Sequence, residues 1–267
     1  MKPSSANSVN SAVRSVVSQD EWLAARRLLL AREKELTAQR DLVNAERRRL
    51  PWVKVDKDYM FDGPAGKVAL AGLFEGRSQL VIYHFMFGPG WKEGCPSCSF
   101  VADHIDGALP HLAARDITLA VVSRAPLPEL AAFRRRMGWS FKWVSSFGSD
   151  FNHDFHVSFT PEELATGRVD YNYRMEGVEG EGVQEWHGIS VFSQDGLGNV
   201  FHTYSSYARG ADLLVGAYNY MDLTPKGRDE ENLPFTMSWL RHHDQYDLDK
   251  VGAQPAPACC HAEARAA

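Results

Sequence analysis

The sequence lacks the features that mark three large classes of protein. No apolar run approaches the roughly 18 residues of a transmembrane helix, and the Ser-, Asn- and Val-rich residues 1–18 lack the apolar core of a secretory signal. The formal net charge is −5, so no strongly basic surface points to nucleic acid. These absences favour a cytoplasmic protein that binds neither membranes nor nucleic acid.

Cysteine is scarce. The four cysteines form two pairs, Cys95 with Cys98 and Cys259 with Cys260, which is too few for a disulfide-stapled scaffold. A structural zinc site takes four ligands, and the sequence has no second Cys-x-x-Cys to complete one. We therefore predict no metal and no cofactor. In the alternative, Cys259, Cys260 and His261 fold back to complete a metal site or to resolve a disulfide.

The Cys-x-x-Cys lies between an apolar strand predicted at residues 80–87 and a helical segment, a position that can make a dithiol reactive. A thiolate in the first turn of a helix faces unpaired backbone N–H groups that lower its pKa, and Lys92 adds a nearby positive charge. Pro96 suits a helix start because its missing N–H needs no partner there. Cys95 is thus the predicted attacking thiol, and Cys98, almost one turn further on, is the predicted resolving thiol.

Beyond this stretch, strand and helix patterns alternate along the chain. Strands are predicted at residues 80–87, 117–123 and 139–146 and in a hairpin over 188–204, with helices at 101–113, 126–137, 212–218 and 236–243. Alternation of this kind predicts a βαβ protein with a mostly parallel sheet.

Composition sets the domain boundaries. Ser18 and Glu21 form a capping-box pattern that begins a long helix, and Pro51 should end this helix near residue 50. We predict a disordered N-terminus (1–18), a long N-terminal helix (19–50), a domain over 51–247 with an irregular Gly-rich and acidic insertion at about 150–186, and a disordered tail (248–267). The long helix is predicted either to pack along the body as an arm or to pair two copies as a homodimer.

Several stretches of the chain resemble one bacterial family, the thioredoxin-like proteins catalogued as domain of unknown function 899. The matching stretches are Gly-Cys-Pro-Ser-Cys-Ser at 94–99 and residues 22–26, 83–89, 122–126, 133–139, 146–152, 200–204, 218–222 and 227–230. The resemblance spans about residues 19–247. It implies an α/β, thioredoxin-like fold with a central mixed sheet flanked by helices, a long N-terminal helix, an irregular insertion before the C-terminal hairpin, and dithiol chemistry.

The sequence departs from thioredoxins at two places beside the dithiol. The tryptophan that directly precedes their first cysteine is matched here only by Trp91, four residues before Cys95. Their cis-proline, which faces the dithiol, corresponds to Ser190, so we expect Ser190 to face the cysteines. Arg124 follows the strand at 117–123, on the edge where α/β proteins hold ligands. Together with Pro96, these three residues are the predicted substrate-binding residues.

The sequence also departs from peroxiredoxins, whose Pro and Thr/Ser before the reactive cysteine are replaced by Gly88 and Lys92. The leading hypothesis is a thiol–disulfide oxidoreductase whose partner is a protein or small-molecule thiol or disulfide. The first alternative is a non-catalytic thioredoxin-like module that binds a protein partner or a metal. The second is a thiol protein that reduces peroxides.

Overall fold

The computed structural model of the protein describes residues 15–178 and 185–247. The chain forms two units, with the boundary between Leu50 and Pro51. Three predictions lie outside the described residues: those for residues 1–14, for the part of the insertion at 179–184, and for the tail from residue 248 onward, which carries Cys259 and Cys260.

The first unit contains one long helix, α1 (Gln19–Arg47). Ser18 caps it as predicted, because its hydroxyl oxygen accepts the backbone N–H of Glu21 at 3.3 Å. The Glu21 carboxylate in turn accepts the backbone N–H of Ser18 at 2.9 Å. The helix therefore begins where the capping box places it and ends at Arg47, slightly before the predicted end. Pairing of two copies through α1 stays a prediction.

The second unit is built on an eight-stranded mixed sheet, beside which lies a separate two-stranded hairpin. The sheet strands are β1 (Val53–Lys54), β2 (Met60–Gly63), β3 (Gly66–Ala69), β4 (Gln79–His84), β5 (Ile117–Ser123), β6 (Lys142–Ser145), β9 (Gly188–Gln194) and β10 (Val200–Tyr207), and the hairpin is β7 (Arg168–Tyr171) with β8 (Arg174–Gly177). In space the sheet runs β1-β10-β9-β4-β5-β6-β2-β3.

The mixed sheet confirms what the family resemblance implies and corrects the expectation of a mostly parallel one. Only β4, β5 and β6 run parallel to each other. The outer strands on both sides pair antiparallel. Strands β10, β9, β4 and β5 lie side by side, and the chain leaves the central β4 to enter the dithiol segment.

Both faces of β4 are buried, as its continuous apolar sequence predicts. Tyr83 points to one face and belongs to the same apolar cluster as Cys98. Ile82 belongs to the cluster on the other face, where the His84 ring also stacks on Phe151 at 5.5 Å between ring centroids. Neighbouring residues of one strand thus line two separate cores, and only the Tyr83 face contains the dithiol.

The helices of the second unit are short. They are α2 (Pro96–Ala102), α3 (Leu109–Ala113), α4 (Leu127–Arg136), α5 (Phe151–Asp154), α6 (Pro161–Ala165) and α7 (Gly216–Asp222). The helix predicted over 101–113 is interrupted after α2 by a 3₁₀ turn at Asp106–Ala108. The Asp106 carboxylate accepts the backbone N–H groups of Ser140 and Phe141, at 2.7 and 2.9 Å, and so ties this turn to the segment before β6.

The helix predicted over 236–243 does not form. Met237 has a backbone φ of 71°, which a right-handed helix cannot contain. The Glu230 carboxylate accepts hydrogen bonds from the Met237 backbone N–H at 3.1 Å and from the Trp239 indole N–H at 2.6 Å. This side-chain acceptor holds the segment in turns, so the apolar residues there pack without a helix.

The insertion is more regular than predicted. Strands β7 and β8 pair through Asn172 and Tyr173, which both have positive φ values, 53° and 63°. Two consecutive positive φ values are typical of the tight turn that suits a hairpin. Residues of this region also form a small apolar core together with Tyr207 of β10: Val157, Phe159, Val169, Tyr171 and Tyr207. The sequence lacks the usual Asn-Gly or Asp-Gly turn pair here, which explains why the hairpin was not predicted.

Candidate active site

Cys95 is fixed at the start of α2 by backbone contacts on both sides. Its N–H donates to the carbonyl oxygen of Met86, just beyond β4, at 3.0 Å, and its own carbonyl accepts the Ser99 N–H at 2.9 Å. Pro96 occupies the first turn of the helix, as predicted from the sequence. The strand and the helix together therefore present the Cys95 thiol at the carboxyl edge of the sheet.

Hydrogen bonds favour the thiolate form of Cys95. The pKa of its thiol is lowered from 9.0 to about 7, first by the hydrogen bond with the Cys98 side chain and then by the backbone N–H groups of Cys98 and Ser97, although burial opposes the shift. Lys92, expected from the sequence to assist, is not among these causes. At neutral pH a large fraction of Cys95 is consequently the nucleophilic thiolate.

Cys98 is the complementary thiol. Its side chain is 1% exposed, and both cysteines are free thiols in this structure. Burial, followed by the hydrogen bond and the charge of Cys95, raises the pKa of Cys98 well above its usual value. The Met86 N–H points at its sulfur, with a nitrogen–sulfur distance of 3.5 Å. The pair thus combines a partly exposed thiol of lowered pKa with a buried thiol of raised pKa. The attacking role of Cys95 and the resolving role of Cys98 stay predictions.

A small cavity of about 30 Å³ lies against the buried thiol. It is lined by Tyr83, Ser97, Cys98, Val101, His187, Ala208, Ala211, Asp212, Val215 and Met237. Its volume accommodates one or two molecules of the size of water. Among the described residues, Cys98 carries the only sulfhydryl group on its wall, so a small molecule in the cavity meets the Cys98 side of the dithiol.

Two residues on the cavity wall were missed by the sequence reasoning, Tyr83 and His187. The alternation of β4 is the signal that places Tyr83 on the dithiol face. His187 precedes β9, and one of its ring nitrogens, Nε2, lies 3.2 Å from the carbonyl oxygen of Ala208. Burial lowers the pKa of His187, so its ring is neutral at physiological pH.

Ser190 does not face the dithiol, which corrects the expectation from the thioredoxin comparison. Its hydroxyl lies 2.8 Å from His84 Nε2 and 2.8 Å from the Ser205 hydroxyl. Ser190 pairs with Ile82 across the sheet, and paired residues share a face, which here is the one without the cysteines. It is His187, directly before this strand, and not Ser190, that borders the dithiol cavity. Aligning Gly188-Ile189-Ser190 with the cis-proline stretch of thioredoxins therefore selects the wrong residue.

Arg124 lies at the predicted edge of the sheet, where it forms an ion pair. Its guanidinium Nη1 is 2.9 Å from a carboxylate oxygen of Glu185, whose side chain is 2% exposed. The second Glu185 oxygen accepts the Ser158 hydroxyl at 2.6 Å. Burial nevertheless dominates over these partners and raises the pKa of Glu185 to about 7. Arg124 thus neutralises a buried carboxylate, and its predicted contact with substrate stays a prediction.

Trp91 and the Arg124–Glu185 pair border the same glycine. A methyl group on Gly88 would lie 3.0 Å from the Trp91 indole nitrogen and 3.1 Å from Cγ of Glu185. Trp91 also packs against the apolar cluster that contains Cys98. The loop between β4 and Cys95 is therefore in contact with the ion pair at the sheet edge, and the substrate-binding role of Trp91 and Pro96 stays a prediction.

The C-terminal part of the described chain contacts the loop that directly precedes Cys95. His242 is 2% exposed, and its Nε2 lies 2.8 Å from the carbonyl oxygen of Gly94. Arg136 of α4 binds the Asp244 carboxylate at 2.7 and 3.0 Å and also pairs with Glu93. Contacts from residues distant in sequence thus fix the backbone that enters Cys95.

Within residues 15–178 and 185–247, no group of three or more His, Cys, Asp or Glu side chains is arranged to hold a metal ion. In the same part of the chain, no helix combines the length and the apolar character that crossing a membrane requires.

Comparison with known proteins identifies the family. The family model described as "Bacterial protein of unknown function (DUF899)" matches residues 11–246, so the chain belongs to this family. No curated protein matches the chain. The resemblance noted from the sequence is therefore confirmed at the level of the family.

Solved structures similar to this chain include the bacterioferritin comigratory protein of Xanthomonas campestris, at 15% identity and a TM-score of 0.41, with 59% of this chain and 88% of that chain covered. A structure of peroxiredoxin Q from the same organism has 16% identity and a TM-score of 0.41, covering 59% and 87% of the two chains. Peroxidoxin BcpB of Mycobacterium tuberculosis has 13% identity and a TM-score of 0.40, covering 64% and 96%. Likenesses this distant support no conclusion about chemistry.

Proposed function

We propose that this member of the DUF899 family is a thiol–disulfide oxidoreductase that uses the Cys95/Cys98 dithiol. One observation carries the proposal: a partly exposed cysteine with a pKa of about 7 occupies the N-cap position of a helix, and a buried thiol within that helix is the largest cause of the low pKa. This pairing separates a nucleophile from a resolving group.

In the proposed reaction, the Cys95 thiolate attacks one sulfur of a substrate disulfide and forms a mixed disulfide, while the other substrate sulfur leaves as a thiolate. Cys98 then loses its proton and attacks the Cys95 sulfur, which expels the remaining substrate sulfur as a thiolate. The substrate disulfide is thereby reduced by two electrons to two thiols, and the dithiol is oxidised to a disulfide. A cellular thiol reductant then restores the dithiol. Because such reductants are abundant in the cytoplasm, we propose that the protein acts there.

The first test measures the reduction potential of the Cys95/Cys98 pair by thiol trapping across glutathione and dithiothreitol buffers. Cys259 and Cys260 are replaced by serine so that only this pair reports, and bound metal is quantified in the original protein. We expect a reversible two-electron couple between roughly −120 and −270 mV, without stoichiometric metal. A pair that never oxidises, or that holds one metal ion per chain, would overturn the proposal in favour of a binding module.

Turnover provides the second test. Reduction of a small aromatic disulfide is measured for the original protein, for Cys95→Ser and for a control variant at an exposed site, Glu162→Gln. We expect Cys95→Ser to abolish turnover and Glu162→Gln to retain it. Equal turnover in both variants contradicts a role for the dithiol.

A second candidate, the reduction of a small hydroperoxide, is favoured by the partial exposure and the lowered pKa of the Cys95 thiol, the two properties that make a thiol prone to oxidation. The Cys95 thiolate would attack the O–O bond, forming a sulfenic acid and releasing water or an alcohol. Cys98 would condense with the sulfenic acid to a disulfide and release water. Consumption of hydrogen peroxide with dithiothreitol as reductant, lost in Cys95→Ser, would favour this candidate over disulfide exchange.

A further inference from the structure

The hydroxyl of Tyr83 is buried without a satisfied hydrogen bond. The Tyr83 side chain is 2% exposed, and no atom of residues 15–178 or 185–247 forms a hydrogen bond of ordinary geometry with its oxygen. A buried polar group of this kind costs free energy, and such groups in folded proteins call for an explanation. In this protein the explanation is the neighbour that Tyr83 has on the same cavity wall.

That neighbour is Cys98. Both side chains line the cavity of about 30 Å³ and belong to one apolar cluster. Burial, and then the negative charge of the Cys98 sulfur, raise the pKa of Tyr83 well above its usual value, so the hydroxyl keeps its proton. A protonated phenol next to a sulfur can act only as a donor towards it once the sulfur carries a charge.

The two protonation states of Cys98 differ sharply as partners for this donor. A neutral thiol is a weak acceptor, which accounts for the missing hydrogen bond in the reduced structure. A thiolate is a strong acceptor, and a hydrogen bond to it is charge-assisted. The Met86 N–H already points at the same sulfur, with a nitrogen–sulfur distance of 3.5 Å. A charged Cys98 would therefore have two donors, one from the backbone and one from Tyr83.

We propose that Tyr83 is a catalytic residue of the resolving step, in which its O–H donates a hydrogen bond to the Cys98 thiolate. The proposal rests on the dithiol function proposed above. In that step Cys98 gives up its proton to solvent or to the departing substrate sulfur, and its sulfur forms a bond to the sulfur of Cys95. The bond between Cys95 and the substrate sulfur breaks, and its electron pair leaves with the substrate. Tyr83 keeps its own proton throughout.

The resolving step can be isolated with 5,5′-dithiobis(2-nitrobenzoate), whose coloured thiolate is released twice. Attack by Cys95 releases the first equivalent, and resolution by Cys98 releases the second. Both phases are followed by stopped flow in two proteins. The parent carries Cys259→Ser and Cys260→Ser, and the variant carries Tyr83→Phe in addition. Hydrogen bonds to charged groups are among the stronger ones in proteins, so we expect the second phase to slow by roughly 10- to 100-fold while the first is unchanged.

Stability separates this catalytic role from a structural one. Tyr83→Phe removes a hydroxyl that has no satisfied hydrogen bond, so the variant should be at least as stable in urea as the parent. A residue that acted only by packing would lose rate and stability together. In Tyr83→Phe the pH profile of the second phase should also move to higher pH, because Cys98 would ionise less readily.

The matched control is Tyr207→Phe, which removes another buried hydroxyl, one that donates to the carbonyl oxygen of Phe155 at 3.1 Å. This variant should lose stability and keep both rates. A second phase in Tyr83→Phe within about twofold of the parent overturns the role of Tyr83. If the parent itself releases only one equivalent, the dithiol function fails instead, and the two failures are distinct.

Discussion

His242 places one of its ring nitrogens, Nε2, 2.8 Å from the carbonyl oxygen of Gly94, the residue directly before Cys95. The ring also packs edge-on against Phe133, with 5.2 Å between centroids. A buried histidine from the end of the described chain thus satisfies a backbone carbonyl at the entrance to the dithiol. The position of the Cys95 thiol consequently depends on a segment that lies far from it in sequence.

Replacing His242 with phenylalanine should therefore destabilise the protein and disturb the dithiol loop. The variant keeps an aromatic ring against Phe133 but leaves the Gly94 carbonyl buried without its donor, which costs about 1–3 kcal/mol. Urea denaturation measures the loss, and the rate at which Cys95 reacts with an aromatic disulfide reports on the loop. His111→Phe, at an exposed position, is the control. Equal stability of the two variants would show that the contact with Gly94 contributes nothing.

The ionisation of Cys95 gives a prediction for pH dependence. Its alkylation rate should titrate near pH 7, because the pKa of the thiol is about 7. The largest cause is the hydrogen bond with Cys98, so Cys98→Ala should move the titration towards pH 9, the ordinary value of 9.0. Iodoacetamide kinetics from pH 5 to about 10 measure both profiles. Superimposable profiles would assign the low pKa to the helix backbone alone.

The same shift predicts how stability changes with pH. The folded protein has the lower Cys95 pKa, about 7 against 9.0 for the ordinary thiol, so it binds this proton less tightly than the unfolded chain does. The stabilisation is therefore fully present above about pH 9 and is lost as the pH falls through 7. Under reducing conditions, the stability of the parent relative to Cys95→Ala should rise between pH 7 and 9. A difference that stays constant over this range contradicts the prediction.

The local patterns of the sequence predict much of the fold around the dithiol. Strand β5 occupies the predicted residues, and Pro96 begins a helix immediately after Cys95. These features depend on neighbours in sequence: an apolar run for a buried strand and a proline at a helix start. The difference in exposure between Cys95 and Cys98 follows from the same local geometry, so it could be predicted as well.

The rest of the site depends on contacts between distant residues, which no local pattern encodes. Ser190 lies on the face opposite the dithiol because side chains of a strand alternate, and an alignment displaced by an odd number of residues exchanges the two faces. His242 and Glu185 reach the dithiol loop from the C-terminal segment and from the insertion, which lie far from it in sequence. The segment around Met237 is not helical, because the Glu230 carboxylate accepts the Met237 backbone N–H. Register and long-range hydrogen bonding, rather than propensity, decide these positions.

Glu185 gives a prediction with the opposite dependence on pH. Burial raises its pKa from 4.5 to about 7 despite Arg124, so the folded protein binds this proton more tightly than the unfolded chain does. Its favourable contribution is present below about pH 4.5 and lost as the pH rises to about 7. Relative to Glu185→Gln, the parent should therefore lose up to about 3 kcal/mol of stability over this range and change little above it.

Urea midpoints of the parent and of Glu185→Gln, taken at intervals between pH 4.5 and 8, measure this difference. The exposed-site variant Glu162→Gln serves as the control and should follow the parent across the whole range. If the curve for Glu185→Gln runs parallel to that of the parent, Glu185 is ionised throughout and its pairing with Arg124 outweighs its burial.

Gly94 should tolerate no side chain. A methyl group there would lie 2.6 Å from a ring carbon of Phe85 and 2.9 Å from one of Phe133, well inside normal contact distance. Gly94→Ala must therefore displace either these rings or the loop into Cys95, at a cost of about 1–3 kcal/mol. Gly107→Ala is the matched control, because nothing in the described chain lies within 4 Å of a methyl group at that site. We expect only Gly94→Ala to lower the urea midpoint and slow the reaction of Cys95; equal behaviour of the two variants would mean that the loop has room to adjust.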